Sequence, residues 1–166
     1  MKSILISVKP EYCELIASGK KTIEVRKTRP KIETPFKCYI YMTATKERCR
    51  FWEYITAYQN SKGDIVDGSQ KVIGEFICDK ITNISVLVRN FNEDYNHVYH
   101  NDECNGSCLT WKELKEYGKD KPLYAWHISD LKIYDKPKEL SEFKCSSLKP
   151  LTRPPQSWCY VEELKE

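Results

Sequence analysis

The segment Lys20–Lys31 concentrates side chains that can do chemistry on a phosphate or a nucleobase. Six of its twelve positions are basic, and Glu24 is the one carboxylate among them. Lysine and arginine bind phosphate oxygens through charge and hydrogen bonds, and a carboxylate beside a lysine can act with it as an acid-base pair. We therefore take Lys21 and Glu24 as candidate catalytic residues, and Lys20 and Arg26 as candidate ligand-binding residues.

The C-terminal part of the chain carries a second group of candidates. Gln156 and Trp158 follow the rigid pair Pro154 and Pro155, which restricts the backbone before them. A glutamine amide both donates and accepts hydrogen bonds, so it can bind the edge of a base, and a tryptophan ring can stack on the face of one. We therefore expect Gln156 and Trp158 to bind a ligand.

Four residues of types that ligate zinc lie within twelve positions of the chain, namely His97, His100, Cys104 and Cys108. Their spacing, His-x2-His-x3-Cys-x3-Cys, differs from the C-x2-C and H-x3-H pairs that are common in structural zinc sites. The acidic residues between them suit a solvated loop. We therefore favour an ordinary loop over a zinc site, and we expect no metal and no cofactor.

Short elements at the start of the chain must position the basic segment. Ser3–Lys9 alternates apolar and other side chains, as a half-buried strand does. Pro10 then suits a first helical turn and Gly19 a helix end, which predicts a helix over Glu11–Ser18. Alternation resumes over Thr22–Arg26. The opening of the chain is therefore predicted to be strand, helix, strand.

The alternation in the third of these elements separates two faces. Ile23 and Val25 point to an apolar side, whereas Glu24 and Arg26 point to a polar side that we expect to face solvent. Strict alternation would place Lys21 on the apolar side. Because Lys21 follows closely after the predicted helix end, its side chain could leave that pattern and reach the same place as Glu24.

The rest of the chain is rich in strand signals. Alternating or β-branched runs predict further strands, and Leu109–Tyr117 predicts a second short helix. The predicted strand segments are Lys37–Thr43, Lys71–Ile81, Leu123–Tyr134 and Pro154–Val161, of which the third is expected to bend or bulge. Many strands with few helices favour an α+β pseudobarrel, a small β-barrel with short flanking helices, over a doubly wound parallel sheet.

Length and composition set the class of protein. The 166 residues fit one domain spanning residues 1–166, and 40% hydrophobic with 31% charged residues is typical of a globular chain. No apolar run approaches the ~20 residues of a membrane span, and the first residues do not resemble a signal peptide. We therefore expect a cytoplasmic protein without membrane association, whose eight cysteines stay reduced and form no disulfides. The net charge of +3 does not by itself indicate nucleic acid.

Two adjoining stretches of the sequence resemble the ASCH family. Ser7-Val-Lys-Pro-Glu-Tyr12 and Ile16-Ala-Ser-Gly-Lys-Lys-Thr-Ile-Glu-Val-Arg-Lys27 match its pattern of strand, Lys-Pro, helix, and Gly-x-Lys-x-x-Glu-x-Arg on the next strand. Three later segments look like other parts of the family, the last of them like the end of phage and prophage members: Val72–Phe76, Tyr124–Ile128 and Pro154–Tyr160. The resemblance implies a PUA-like β-barrel with a pocket beside the first helix, and RNA, a nucleotide or a nucleoside as partner.

An RNA- or nucleotide-binding module is the function that we favour from the sequence. In this hypothesis Lys9, Lys20 and Arg26 contact phosphate or base, Trp158 stacks, and Ser7 joins the pocket from the same motif as Lys9. Four charged side chains are expected to converge on one concave pocket, because the Lys-Pro strand end and the Gly-Lys-Lys turn adjoin the same helix: Lys9, Lys21, Glu24 and Arg26.

A hydrolase is the first alternative. Some small bacterial ASCH relatives are N4-acetylcytidine amidohydrolases that use a lysine, a threonine and a glutamate, and others are described as ribonucleases. Lys21 matches the family lysine, but Glu24 stands where those amidohydrolases have the threonine, and Glu75 is a candidate for the remote glutamate. Lys21 and Glu24 could still serve a ribonuclease as an acid-base pair. A phage-related interaction protein with a vestigial pocket is the second alternative.

Overall fold

A curled six-stranded sheet forms the body of the structure, a computed structural model that describes residues 2–45, 56–90 and 102–164. The strands are β1 (Lys2–Val8), β2 (Ile23–Arg26), β3 (Phe36–Met42), β4 (Ala57–Gln59), β5 (Ile65–Asp67), β6 (Lys71–Asn83), β7 (Tyr124–Glu139) and β8 (Trp158–Glu162). The sheet order is β2-β7-β6-β3-β1-β8, and β4 with β5 forms a separate hairpin. β1 pairs with β3 in parallel, and the other neighbours pair antiparallel.

The helices are short and lie between strands. They are α1 (Pro10–Ala17), α2 (Ser85–Asn90), α3 (Asp102–Ser107) and α4 (Trp111–Gly118), with a 3-10 turn at Leu140–Glu142. α1 and α4 lie within two residues of their predicted bounds, whereas the sequence analysis did not find α2 and α3. Within the described ranges, no helix has the length and apolar character to cross a membrane. The α+β class with short helices beside a curled sheet is confirmed.

β1 is buried on both sides, which corrects the expectation of a half-buried strand. Ile4 and Ile6 pack with Ile16 of α1 in the main core, while Leu5 packs in a second cluster that includes Phe143. A strand in the interior of a curled sheet is covered on its outer side as well, here by the segment after β7. Strand periodicity reports which residues share a face and does not report whether that face is covered.

β2 lies at one edge of the sheet, yet all of its residues are buried. Ile23 and Val25 pack against a cluster that includes Leu114 of α4, as their alternation predicted. Glu24 and Arg26 are only 7% and 6% exposed, so the prediction that their face meets solvent is wrong. The physical reason is that segments far along the chain, at residues 106–107 and 155–157, fold over this edge.

β6 and β7 are long and irregular partners. Their pairing shifts register at several places, which confirms the bulged strand predicted for Leu123–Tyr134. At Gly74 a Cβ atom would lie 2.5 Å from the backbone oxygen of Lys132, so no larger residue fits at this close approach without displacing backbone. Because of these bends, β6 and β7 both contribute to the core, and β7 also pairs with the edge strand β2.

The six cysteines that the structure describes are free thiols. Burial raises the pKa of Cys78 to about 12 and that of Cys159 to about 11. Hydrogen bonding, first to the Ser147 hydroxyl at 3.0 Å, lowers the pKa of Cys145. At a given pH a thiol with a lowered pKa is more ionised, and the thiolate is the reactive form.

We expect iodoacetamide at neutral pH to alkylate Cys145 at least tenfold faster than Cys78 and Cys159, because the pKa of Cys145 is lowered while those of the other two thiols are raised, so that Cys145 has the larger thiolate fraction. Peptide mass spectrometry over a time course measures the order. Ser147→Ala should slow the alkylation of Cys145 and leave the other two rates unchanged. Faster labelling of Cys78 than of Cys145 would contradict this account of the thiols.

Candidate functional site

A cavity of about 450 Å³ opens where the end of β1, helix α1, strand β2 and helix α4 meet. This volume falls within the range of small-molecule sites. The residues that line it come from separate parts of the chain: Ser7, Val8, Lys9, Tyr12, Lys21, Glu24, Val25, Arg26, Thr43, Leu109, Glu113, Tyr117 and Gln156. The cavity therefore lies beside the first helix, and Lys9, Lys21, Glu24 and Arg26 all reach it.

Local backbone geometry places Lys9 and Lys21 at the cavity. Lys9 is extended at the start of α1, because Pro10 begins the helix directly after β1. At the other end of α1, Gly19 adopts a φ of +74°, which favours glycine and ends the helix. The amide of Lys21 then donates to the Leu15 carbonyl at 2.9 Å. Lys21 thus precedes the regular strand, so strand alternation does not govern its side chain.

Lys21, Glu24 and Arg26 form one buried ionic group, which we call the Lys21–Glu24–Arg26 cluster. Glu24 Oε1 lies 2.9 Å from Arg26 Nη2, and its Oε2 lies 3.4 Å from Lys21 Nζ. Lys21 is 2% exposed, and its ammonium donates to the Ser107 carbonyl at 2.6 Å. Charges removed from water at this depth must be paired, because an uncompensated buried charge costs about 3–5 kcal/mol.

Arg26 ties three parts of the chain together. Its Nη2 donates to the carbonyl of Ser7 at 2.7 Å, and its Nη1 contacts the carbonyl and hydroxyl oxygens of Ser157, both at 3.3 Å. The Ser7 hydroxyl in turn donates to the carbonyl of Pro155 at 2.6 Å. The turn at residues 154–157 is thereby fixed on either side of Gln156, which lines the cavity. Arg26 acts as a positioning residue for that turn.

Helix α3 also covers the edge of the sheet at β2. The amide of Thr22 donates to the carbonyl of Gly106 at 2.8 Å, and a Cβ atom at position 106 would lie 2.6 Å from the Thr22 hydroxyl. Ser107, which accepts from Lys21, is the last residue of the same helix. Because α3 approaches the edge this closely, water is excluded from the apolar side of the ionic cluster.

Glu24 retains an unused hydrogen-bond acceptor. Its Oε2 is buried and receives no hydrogen bond from any of the described residues, although Lys21 Nζ lies 3.4 Å away as an ion-pair partner. Arg26 Nε is likewise buried and has no acceptor in the described part of the chain. Buried polar atoms are usually paired, so these two atoms show that hydrogen bonding within the ionic cluster beside the cavity is incomplete.

Two tyrosines that the sequence analysis did not single out line the cavity. Lys21 Nζ lies 5.1 Å from the ring centroid of Tyr12, and Lys27 Nζ lies 4.6 Å from that of Tyr117. Burial raises the pKa of both phenols, with smaller contributions from neighbouring charges that include Glu24. Both rings are therefore neutral hydroxyl donors at neutral pH. Tyr12 lies within the segment that resembles the ASCH family, whereas no local signal distinguished Tyr117.

The charges around the cavity nearly cancel. Lys9, Lys21 and Arg26 face two carboxylates, Glu24 and Glu113. Glu113 accepts from the backbone amide and the hydroxyl of the residue that caps α4, and these hydrogen bonds lower the pKa of its carboxyl group. With Lys21 and Arg26 paired with Glu24 and with phenol rings on its walls, the cavity suits a flat, polar molecule better than a phosphate group alone.

Lys20, Trp158 and Glu75 are not among the residues that line this cavity. Lys20 is exposed outside it. Trp158 packs against Trp126, with ring centroids 6.0 Å apart, and donates from Nε1 to another side chain. Glu75 pairs with Lys37 at 3.3 Å on a different part of the sheet. Trp158 is drawn to the core because β8 pairs with the buried strand β1.

The four weak candidates for zinc ligands fall mostly outside the described residues. His97 and His100 lie there entirely, and the side chain of Cys104 is not described. Cys108 is exposed and its thiol donates to the carbonyl of Lys20 at 3.4 Å. Across residues 2–45, 56–90 and 102–164, no three histidine, cysteine, aspartate or glutamate side chains cluster closely enough to hold a metal ion.

Comparisons with known proteins agree on the fold. Crystal structures of the ASCH protein of Zymomonas mobilis superpose on this chain with 20% identity, a TM-score of 0.60 and coverage of 97% of this chain and 88% of that one. Its tyrosine-to-phenylalanine variant superposes with 19% identity, a TM-score of 0.61 and coverage of 98% of this chain and 92% of that one. Its serine-to-alanine variant superposes with 20% identity, a TM-score of 0.59 and coverage of 97% of this chain and 89% of that one. No curated protein sequence matches. The model of the ASCH domain matches residues 6–143, so this chain belongs to the ASCH family and has its PUA-like fold.

Proposed function

We propose that this protein binds RNA by holding one nucleobase in the cavity. The observation that carries the proposal is a cavity of about 450 Å³ that is close to neutral and is lined by the Glu24 carboxylate, the Gln156 amide and two tyrosine rings. A base presents amino and imino donors to such a carboxylate. Tyr12 and Tyr117 supply aromatic walls, and every base has a flat face that can pack on them.

Gln156, which also lines the cavity, supplies the complementary groups. Its backbone is fixed on both sides, by Ser7 at Pro155 and by Arg26 at Ser157, while its own side chain is exposed at the cavity. An amide in this position can donate to one atom of a base edge and accept from the next. Selectivity for a base over a simple anion follows from this pairing of donor and acceptor.

The test is a thermal-shift screen of nucleosides, nucleotides and short RNAs. A ligand present at about 100 times its dissociation constant stabilises the folded state by about 2.7 kcal/mol, which corresponds to roughly 5–10 °C for a chain of this size. Without ligand, we expect Gln156→Ala to have the same melting temperature as the wild type. With ligand, its melting temperature should rise by less than half as much as that of the wild type.

Gln59→Ala is the matched control, because Gln59 is also an exposed glutamine and does not line the cavity. It should keep the full shift. No shift with any nucleoside, nucleotide or RNA in the wild-type protein would refute the binding function and would favour a phage-related interaction protein with a vestigial pocket. An equal loss in both glutamine variants would show that the cavity is not where the ligand binds.

A hydrolase acting on RNA or a modified nucleoside is the second candidate. The distance of 3.4 Å between Lys21 Nζ and Glu24 Oε2 favours it, because an acid-base pair must lie within proton-transfer reach of a shared substrate. Against it, the Lys21 ammonium already donates to Ser107. Chromatography of RNA and N4-acetylcytidine after incubation with the protein separates the candidates, since binding without product assigns the cavity to recognition.

A further inference from the structure

The basic segment Lys20–Lys31 divides into an inner and an outer set of charges. Lys21 and Arg26 turn inward around Glu24, the one carboxylate of the segment. The cations that follow, at positions 27, 29 and 31, remain at the surface, and none of them is paired with a carboxylate of the described residues. Burial of the single negative charge therefore leaves a run of uncompensated positive charge next to the cavity.

The outer set lies along strand β8 in a fixed order. Arg26 contacts Ser157 at the cavity wall. Two residues further on, the Thr28 hydroxyl accepts from Trp158 Nε1 at 2.9 Å, and the amide of Lys31 donates to the hydroxyl of Tyr160 at 2.8 Å. The two rings are themselves in contact, with centroids 5.5 Å apart. We call residues 27–31 with Trp158 and Tyr160 the basic strip.

The basic strip begins at the mouth of the cavity. Lys27 lies over the ring of Tyr117, which lines the cavity and is 38% exposed. From Lys27 the strip leads to Tyr160, whose ring has the ammonium of Lys2 at 6.0 Å from its centroid. Five residues of extended chain reach at most about 17 Å, which leaves room for a few nucleotides.

We propose that the basic strip binds the phosphates of single-stranded RNA whose neighbouring base occupies the cavity, an inference that rests on the proposed function. The cavity is close to neutral, so it offers little to the phosphates, whereas the strip offers unpaired cations in line with its mouth. Trp158 and Tyr160 position the strip by hydrogen bonds. The ligand is therefore an oligonucleotide rather than a free nucleotide, with the salt-dependent affinity that phosphate contacts produce.

The experiment compares RNA length with strip variants. Affinities of mononucleotides, and of fluorescein-labelled mixed-sequence RNAs up to an octanucleotide, are measured at several salt concentrations for the wild type and for Arg29→Ala combined with Lys31→Ala. We expect wild-type affinity to rise with length. The double variant should bind the octanucleotide about tenfold more weakly, with a salt slope shallower by about 1.4, since each phosphate contact of a single strand contributes about 0.7. Its affinity for mononucleotides should not change.

Lys62→Ala combined with Lys136→Ala is the control, because it removes the same charge at exposed positions outside the strip and the cavity. It should bind the octanucleotide within about twofold of the wild type. Mononucleotide binding without any gain from length, or full octanucleotide affinity in the strip variant, would overturn the inference and leave the proposed function intact. Failure of every nucleotide and RNA to bind would instead refute the proposed function. Competition by polyglutamate as strong as by RNA would assign the strip to an acidic protein partner and overturn the RNA assignment.

Discussion

Glu24→Gln is expected to lower the free energy of unfolding by about 3–5 kcal/mol. The carboxylate lies 2.9 Å from Arg26 Nη2 and 3.4 Å from Lys21 Nζ, and all three side chains are buried. Glutamine keeps the shape and removes the charge, so two buried cations lose their counter-ion. The polar face of β2, judged from the sequence alone, would have predicted almost no change in stability, and the burial of Glu24 reverses that expectation.

Chemical denaturation measures the effect as a lower midpoint at an unchanged m-value, and thermal unfolding should show a fall of roughly 6–20 °C. Glu33→Gln is the matched control, since Glu33 is exposed and its loss should change stability by no more than about 0.5 kcal/mol. The double variant Lys21→Met, Glu24→Gln should lose less free energy of unfolding than the two single variants lose in sum, because it also removes one of the cations that lack a counter-ion. A wild-type midpoint in Glu24→Gln would mean that the cluster does not stabilise the fold.

Arg26→Lys is expected to cost about 3 kcal/mol although it preserves the charge. Arg26 uses two separate nitrogens, one for Glu24 and the Ser7 carbonyl and the other for Ser157. A lysine ammonium is a single point that cannot reach both sides of this bridge. At least one hydrogen bond from a charged donor is lost, and the buried carbonyl oxygen that it leaves adds its own desolvation cost.

Hydrogen exchange can show that Arg26→Lys acts locally, because a purely global loss of stability would not single out one segment. The amide of Ser7 donates to the carbonyl of Ser157 at 2.9 Å, so release of the turn at residues 154–157 should accelerate exchange at Ser7 more than in the centre of β1. Nucleotide affinity should fall at the same time because Gln156 is no longer held at the cavity. Arg153→Lys, an exposed exchange of the same kind, should change neither quantity. Unaltered exchange at Ser7 in Arg26→Lys would show that Arg26 does not hold the turn.

Local signals in the sequence determined the elements around the cavity. Pro10 and Gly19 bracket α1 because proline fits a first helical turn and glycine tolerates the positive φ that ends a helix, and neither effect depends on distant residues. The same holds for the alternation in β2, which correctly directed Ile23 and Val25 to an apolar cluster. The position of a cavity beside α1, with Lys9 on its wall, follows from these short-range rules together with the family motif.

Burial was decided by the tertiary structure. The period of a strand states which side chains share a face, but whether that face is wet depends on what covers it, and here the cover is supplied by Gly106 and Ser107 of α3 and by the turn that holds Gln156. Those segments lie roughly 80 to 130 residues further along the chain than β2. No local pattern near Glu24 records their approach, so a residue predicted at the surface is instead a buried counter-ion.

The same division explains the aromatic residues. The rigid proline pair before Trp158 suggested a ligand-stacking role for this tryptophan, but the pairing of β8 with β1 turns its ring toward the core. Tyr117 reaches the cavity because α4 packs its apolar side on β2 and thereby presents its last turn at the mouth. The sequence alone determined the residue types and local elements from which the cavity is built, whereas only long-range packing decided which of these side chains meet there, because their contacts join residues that no local rule connects.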